Sequence, residues 1–273
     1  MITSTGGTKR IEGAFAKGRQ AFIPFITAGF PTPETTLSLG LALQEAGADL
    51  LELGVPYSDP LADGPTIQFA SAQALTHGVT IQRVIELAGA MREKGVTIPI
   101  ILFTYYNPVL RYGIDRLFEE MAAADIDGIL IPDLPFEEAE EVEEIAARYG
   151  RPLISLVAPT SQKRIQMIAS RARGFLYCVS SLGVTGTRKE LGEHIVPFLE
   201  EVKRYSGVPV AVGFGISSRE QAERLAPYSD GFIVGSALIE KIRELSPRLI
   251  APDSLEEALN DVKIFVKQLH SAV

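Results

Sequence analysis

The sequence has no tryptophan, one cysteine and three histidines among its 273 residues. A lone cysteine, Cys178, cannot close an internal disulfide, so packing alone must hold the fold, and a reducing cytoplasm suits it. His77, His194 and His270 are scattered, with no Cys or His at ligand spacing, which predicts no metal site. Long apolar runs are missing too. The run at residues 98–103 is typical, far below the ~18 residues of a membrane span. The opening MITSTGGTKRIEGAFAKG lacks the apolar segment of a signal peptide. Basic residues are outnumbered 26 to 34, a formal charge of −8, which disfavours nucleic acid and membrane surfaces as partners. A phosphate-bearing substrate therefore has to be held by local geometry against the net field. Neither a nucleophile elbow nor a P-loop is present.

What is present is an alternation. Short apolar runs begin at Ala21 (AFIPFI), Ala48 (ADLLELG), Ile98 (IPIILFT), Asp127 (DGILI), Pro152 (PLISLV), Gly174 (GFLYCVS), Val208 (VPVAVG) and Asp230 (DGFIVG). Continuous apolar runs of this length are expected of parallel strands covered on both faces. Between them lie stripes of helical period, such as Ile81, Val84, Ile85, Ala88 and Met91, or Leu255, Ala258, Leu259, Val262 and Val266. Further stripes run through residues 114–122 and 139–149, and Gly47, Gly95 and Gly150 stand where helices should stop. No linker or low-complexity tract divides the chain. Eight strand–helix units predict an α/β fold, a single (β/α)8 TIM barrel over residues 1–273, with Ile11 and Phe15 on a short extra N-terminal helix against the barrel bottom. A doubly wound open sheet is the alternative, but no GxGxxG turn follows the first strand.

In such a barrel, chemistry sits at the C-terminal ends of the strands. Glu52 lies inside the second apolar run, where a charge is costly unless paired or functional. In a poorly hydrated barrel mouth, desolvation would raise its pKa toward that of a useful acid–base. Asp63 follows on an unusually long Pro/Gly loop, residues 54–64. Gly215 follows the seventh run, and Gly235-Ser236 follows the eighth and opens a helix. Bare backbone N–H groups at these two turns suit a phosphate without any lysine or arginine. Residues 180–187, small and glycine-containing, suit either a closing lid or a plain connection. Phe25, Phe103, Leu130, Tyr177 and Phe214 form either an apolar slot for a flat ring or the top core layer.

The segment LELGVPYSDPLADGPTIQ, with FIPFITAGFP, YYNP, DGILIPDLPFEE, LYCVSSLGVTG, GFGIS and DGFIVGSALI in order, resembles the tryptophan synthase alpha subunit family over nearly the whole chain. The resemblance implies cleavage of indole-3-glycerol phosphate to indole and glyceraldehyde 3-phosphate, without a cofactor. Indole then passes to a beta subunit, which holds pyridoxal phosphate, in an alpha2beta2 heterotetramer. By the same resemblance, Glu52 is the general acid and base, and Asp63 stabilises charge at the indole nitrogen. Gly186, Gly215, Gly235 and Ser236 match phosphate contacts. Phe25, Tyr177, Thr185 and Phe214 match pocket or lid positions, with Thr185 near Asp63 when the lid closes. Asn107 and residues 56–60 match the beta-facing surface. Ser181 stands where some members carry an arginine, so lid closure is expected to be looser. A free-standing lyase that releases indole would use the same residues. A phosphosugar isomerase would share the phosphate turns but not need the Glu52–Asp63 pair, and a purely allosteric barrel would need neither carboxylate.

Overall fold

The computed structural model describes residues 7–179, 195–213 and 215–270. Eight parallel strands are present: β1 (Ala21–Thr27), β2 (Leu51–Gly54), β3 (Ile100–Phe103), β4 (Gly128–Leu130), β5 (Ser155–Val157), β6 (Leu176–Val179), β7 (Val210–Gly213) and β8 (Gly231–Val234). All eight expected runs form strands, each starting up to three residues later than its apolar run. The ladder order is β4-β3-β2-β1-β8-β7-β6-β5. The ends of that order meet at one bridge, Ile129 with Leu153, where Ile129 N–H donates to Pro152 O (3.0 Å) and Ile154 N–H to Ile129 O (2.7 Å). The sheet is therefore a (β/α)8 barrel with a narrow seam between β4 and β5.

The helices are α1 (Gly7–Phe15), α2 (Pro33–Glu45), α3 (Pro65–Thr76), α4 (Ile81–Glu93), α5 (Tyr106–Tyr112), α6 (Ile114–Ala123), α7 (Glu140–Tyr149), α8 (Gln162–Arg171), α9 (Ile195–Tyr205), α10 (Arg219–Leu225), α11 (Ser236–Ile250) and α12 (Leu255–His270). Thr32 and Thr80 cap α2 and α4 by accepting backbone N–H groups of Thr35 and Arg83, and Gly150 closes α7 in the left-handed region. Side-chain alternation along each strand produces two cores. One lies inside the barrel and includes Ile23, Leu50, Ile101, Leu130, Phe175 and Ile233. The larger one fills the space between strands and helices. As expected, α1 plugs the barrel bottom. Its Ile11 is fully buried, and Phe15 packs on Phe175 at 5.5 Å. Phe15 fits because Gly231 has no Cβ, which would come within 2.8 Å of its ring.

Three even-numbered strands are entered through an aspartate that grips the preceding strand twice. Asp49 N–H donates to Phe22 O (2.9 Å), and its carboxylate accepts from Phe22 N–H (2.9 Å). Asp127 does the same with Ile100 (2.8 and 2.8 Å) and Asp230 with Val210 (2.7 and 2.8 Å). Cations neutralise each clasp: Lys17 and Arg19 on Asp49, Arg10 and Arg92 on Asp127, Lys203 on Asp230. The remaining even strand, β6, is entered through Arg171, Ala172 and Arg173, with no acid. Asp127→Ala leaves the Ile100 N–H unpaired and takes a fully buried carboxylate from Arg10 and Arg92, which then share the partly exposed Asp125 as their acid partner among the described residues. The expected loss is about 3–5 kcal/mol of stability, read by urea unfolding. A loss below about 1 kcal/mol would show that the clasp is ornamental.

Candidate active site

The second strand presents Leu51 and Leu53 to the helix layer and Leu50 to the barrel interior. Glu52 shares the face of Leu50 by the two-residue period. It stands in register between Phe25 of β1 and Ile101 of β3. Its side chain is fully buried, and neither carboxylate oxygen has a hydrogen-bond partner among the described residues. Burial alone pushes its pKa up to about 8. The Thr27 hydroxyl, at the end of the neighbouring strand, is likewise buried and unpartnered. Buried polar atoms without partners are rare in native folds. Here three of them, the two Glu52 oxygens and the Thr27 hydroxyl, lie on adjacent strands.

Asp63 closes the loop that leaves β2. The loop is anchored at its start by Val55 N–H to Phe103 O (2.8 Å), and at its end Pro65 opens α3. Its middle is open, with Leu61 83 % exposed, yet Asp63 itself is buried. Tyr105 holds it there: the phenol accepts Ala62 N–H (3.0 Å) and donates to Asp63 Oδ2 (2.9 Å). Gln68 adds a bond to the Asp63 carbonyl (2.8 Å). Burial raises the Asp63 pKa to about 6, opposed by the Tyr105 hydrogen bond. The two carboxylates act on one further group. The buried Tyr177 phenol is pushed well above its ordinary range, first by desolvation and then by the charges of Glu52 and of Asp63. Gly213 admits that phenol, since a Cβ there would lie 2.4 Å from the Tyr177 oxygen.

Phe25 lies between Glu52 and the turn at Gly235. Its ring meets Phe103 edge-on at 5.4 Å, and its Cβ lies near the bare Cα of Gly235. Gly235 caps α11, whose first turn carries no acid and begins with the buried Ser236. Gly215 follows β7 with φ of 67°. No side chain among the described residues caps the start of this 15-residue helix, an end at which backbone N–H groups favour an anion. On the outer face, exposed Asn107 of α5 donates to the Tyr57 hydroxyl (3.1 Å), tying α5 to the Asp63 loop.

The structure gathers Phe25, Glu52, Asp63 and Tyr177 at one end of the barrel and sets Gly215, Gly235 and Ser236 at adjoining strand ends. Thr185, Gly186, Phe214 and the lid residues 180–187, including Ser181, lie outside the described residues. Tyr105 and Thr27 were not among the residues singled out from sequence. Tyr105 stands two positions past the end of β3, so its place at the catalytic end was the available signal. Among the described residues, no cluster of His, Cys, Asp and Glu suited to a metal ion occurs.

A carboxyl group with a raised native pKa destabilises the fold once the unfolded chain ionises and the native one does not. For Glu52, full stability exists below about pH 4.5 and is lost progressively up to about pH 8. Glu52→Gln removes this dependence. The variant should gain on the order of 3 kcal/mol over the wild type between pH 5 and pH 8, measured by urea unfolding at both values. Parallel stability curves for the two proteins would show that Glu52 is not held protonated.

The profile of the family described as tryptophan synthase alpha chain matches residues 12–273. The tryptophan synthase alpha chain of Geobacillus kaustophilus is 60% identical over 248 residues, covering 91% of this chain and 92% of that one. The alpha chain of Halalkalibacterium halodurans is 54% identical, covering 96% and 99%. Among solved structures, tryptophan synthase subunit alpha from Legionella pneumophila superposes with a TM-score of 0.83 at 35% identity, covering 98% of each chain. The tryptophan synthase complex of Pyrococcus furiosus does so with a TM-score of 0.81 at 36% identity, covering 93% of this chain and 98% of that one.

Proposed function

The chain belongs to the tryptophan synthase alpha chain family and is a lyase of tryptophan biosynthesis, and from that premise we propose that Glu52 and Asp63 together cleave indole-3-glycerol phosphate to indole and glyceraldehyde 3-phosphate. The observation that carries the assignment is the fully buried, unpartnered Glu52 carboxyl with its pKa near 8. A residue in that state holds a proton at neutral pH and has no acceptor for it among the described residues.

Protonated Glu52 delivers its proton to the ring carbon that bears the glycerol chain. The ring becomes an indolenine whose C=N accepts an electron pair. Asp63, ionised above about pH 6, accepts the indole N–H and balances the positive charge forming there. Glu52, now a carboxylate, takes the proton of the hydroxyl adjacent to the ring as the carbon–carbon bond breaks. The electrons of that bond restore the aromatic ring, an aldehyde forms, and Glu52 is protonated again. The working pair of states, ionised Asp63 with protonated Glu52, is populated between about pH 6 and about pH 8. Phe25 and Tyr177 wall the indole, and Gly215, Gly235 and Ser236 hold the phosphate. Thr185, Gly186 and Phe214 complete the pocket in this reading.

Tryptophan synthase occurs as a complex in the Pyrococcus furiosus structure, and a beta partner in an alpha2beta2 assembly is the reading we favour. Asn107 and residues 56–60 supply its docking face. Exposed Leu61 on the loop and Leu110 on α5 add apolar area there, and the Tyr57–Asn107 bond couples that face to the loop that ends in Asp63. Pyridoxal phosphate is expected only on the beta subunit. Among the described residues no helix is long and apolar enough to cross a membrane, and we assign the chain to the cytoplasm.

Glu52→Gln should cut indole formation by roughly 10²–10⁴-fold, while Asp63→Asn should lower kcat more than it raises KM, because its charge matters once the nitrogen is positive. Both are read by steady-state assay with and without a beta subunit. A Glu52→Gln enzyme retaining over a tenth of wild-type turnover would refute the assignment, and equal activity with and without beta would favour a free-standing lyase. At Gly235 a Cβ meets only ordinary contacts at 3.7–3.8 Å, so Gly235→Val should fold while its branches obstruct the anion. Glycerol phosphate should bind it at least roughly tenfold more weakly, as expected for loss of a charge-assisted hydrogen bond. Unchanged affinity by calorimetry would place the phosphate elsewhere.

A further inference from the structure

We propose that the cleft between α7 and α8 is a binding site for a small oxyanion carrying two or more charges, separate from the barrel mouth. Around the helix layer, α6 packs on α7 and α8 on α9, but α7 and α8 are parted by a cavity of about 500 Å³ beside the β4–β5 seam. That size suits a small molecule. Three arginines line it, Arg151, Arg171 and Arg173, against two acids, Glu143 and Glu144; Ala146, Pro152 and Leu153 are among its apolar walls. The local balance is positive in a chain whose overall charge is −8.

The arginines are under-partnered. Arg151 is only 8 % exposed, and among the described residues its guanidinium makes one hydrogen bond, a long contact of 3.4 Å to Asp125. Arg10 holds that same carboxylate. The Nε of Arg151 has no partner among the described residues. Arg151 belongs to a cluster of three arginines, with Arg10 and Arg92, whose carboxylate partners among the described residues are two, Asp125 and Asp127. Removing a guanidinium from water without full compensation is costly. Arg173 is exposed and donates only to the carbonyls of Arg171 and Ala172 (3.3 and 3.2 Å), with no carboxylate partner among the described residues. Arg171 is the exception: it pairs with Glu143 at 2.8 Å and lies over the Phe136 ring. The acid-free entry to β6 concentrates this charge where three other even strands carry an aspartate. Guanidinium forks match carboxylate and phosphate oxygens two at a time. A divalent or trivalent oxyanion could engage Arg173 and the mouth of the Arg151 cluster, and compete with Glu143 for Arg171.

The test is a titration of the ¹⁵N-labelled full chain with pyrophosphate and, separately, with citrate, following amide shifts. Saturable shifts are expected at Ala147, Gly150 and Arg173. Arg173→Gln should weaken binding roughly tenfold, the value of one charge-assisted bond, whereas Glu143→Gln, which frees Arg171 and removes a negative charge, should tighten it. Opposite effects of two exposed or half-exposed positions cannot arise from unfolding. Saturation by pyrophosphate alone identifies a phosphate-type ligand, by citrate alone a carboxylate, and by both a general oxyanion site. Shifts confined to Gly235 and Ser236, shifts that stay linear with concentration, or an affinity indifferent to both substitutions would overturn the proposal. None of these readouts depends on the lyase assignment.

Discussion

Register is the constraint on which everything else in this barrel rests. Each of Asp49, Asp127 and Asp230 binds both the N–H and the carbonyl of one residue on the strand before it. A two-point contact of this kind admits no slip between the paired strands. Because side chains alternate, a shift of one residue would turn Glu52 out into the helix layer and Leu51 or Leu53 into the barrel. The clasps lie at the N-terminal end of the strands and the reactive groups at the other. Electrostatics at the bottom thus decides which side chains meet at the top.

That arrangement also explains how two carboxyl groups with similar intrinsic acidity come to differ. Glu52 is on a strand, fully buried, with no hydrogen-bond partner among the described residues. Asp63 is on a loop, where Tyr105 lends it a hydrogen bond and moderates the effect of burial. Placing one group on rigid structure and the other on a segment anchored at its ends separates their proton affinities without any metal-like cation nearby. The cost falls on stability, since the fold carries a carboxyl group that would be better solvated when unfolded.

Much of this was legible beforehand, for identifiable reasons. Parallel strands covered on both faces read as apolar runs, so all eight were visible, and a glutamate inside one of them stood out as an anomaly. The amphipathic stripes of α4, α6, α7 and α12 were equally plain. By contrast, α5 is a seven-residue helix containing a proline, too short to show a period. In α3 the buried residues are mainly small, Ala70, Ser71 and Ala74, and give little contrast. Tyr105 was hidden because its role depends on a partner 42 residues away. The clasping aspartates sat at the starts of recognised runs, yet nothing local marked their role, since their partners lie 20 to 27 residues back. Residues defined by long-range partners are the ones that local pattern does not reveal.

The seam between β4 and β5 gives the barrel a mechanical polarity. A ring joined by ladders everywhere except at one bridge behaves as a split collar, stiff around most of its circumference and compliant at the slit. The slit is closed by two backbone hydrogen bonds, worth about 1–3 kcal/mol net and fewer than in the ladders that join β1 to β2 and β8. Strands β7, β8, β1 and β2, which bear the Gly215 and Gly235 turns, Phe25 and Glu52, occupy the opposite arc. The weakest backbone joint of the ring thus lies across the barrel from Phe25 and Glu52, where the ladder is continuous.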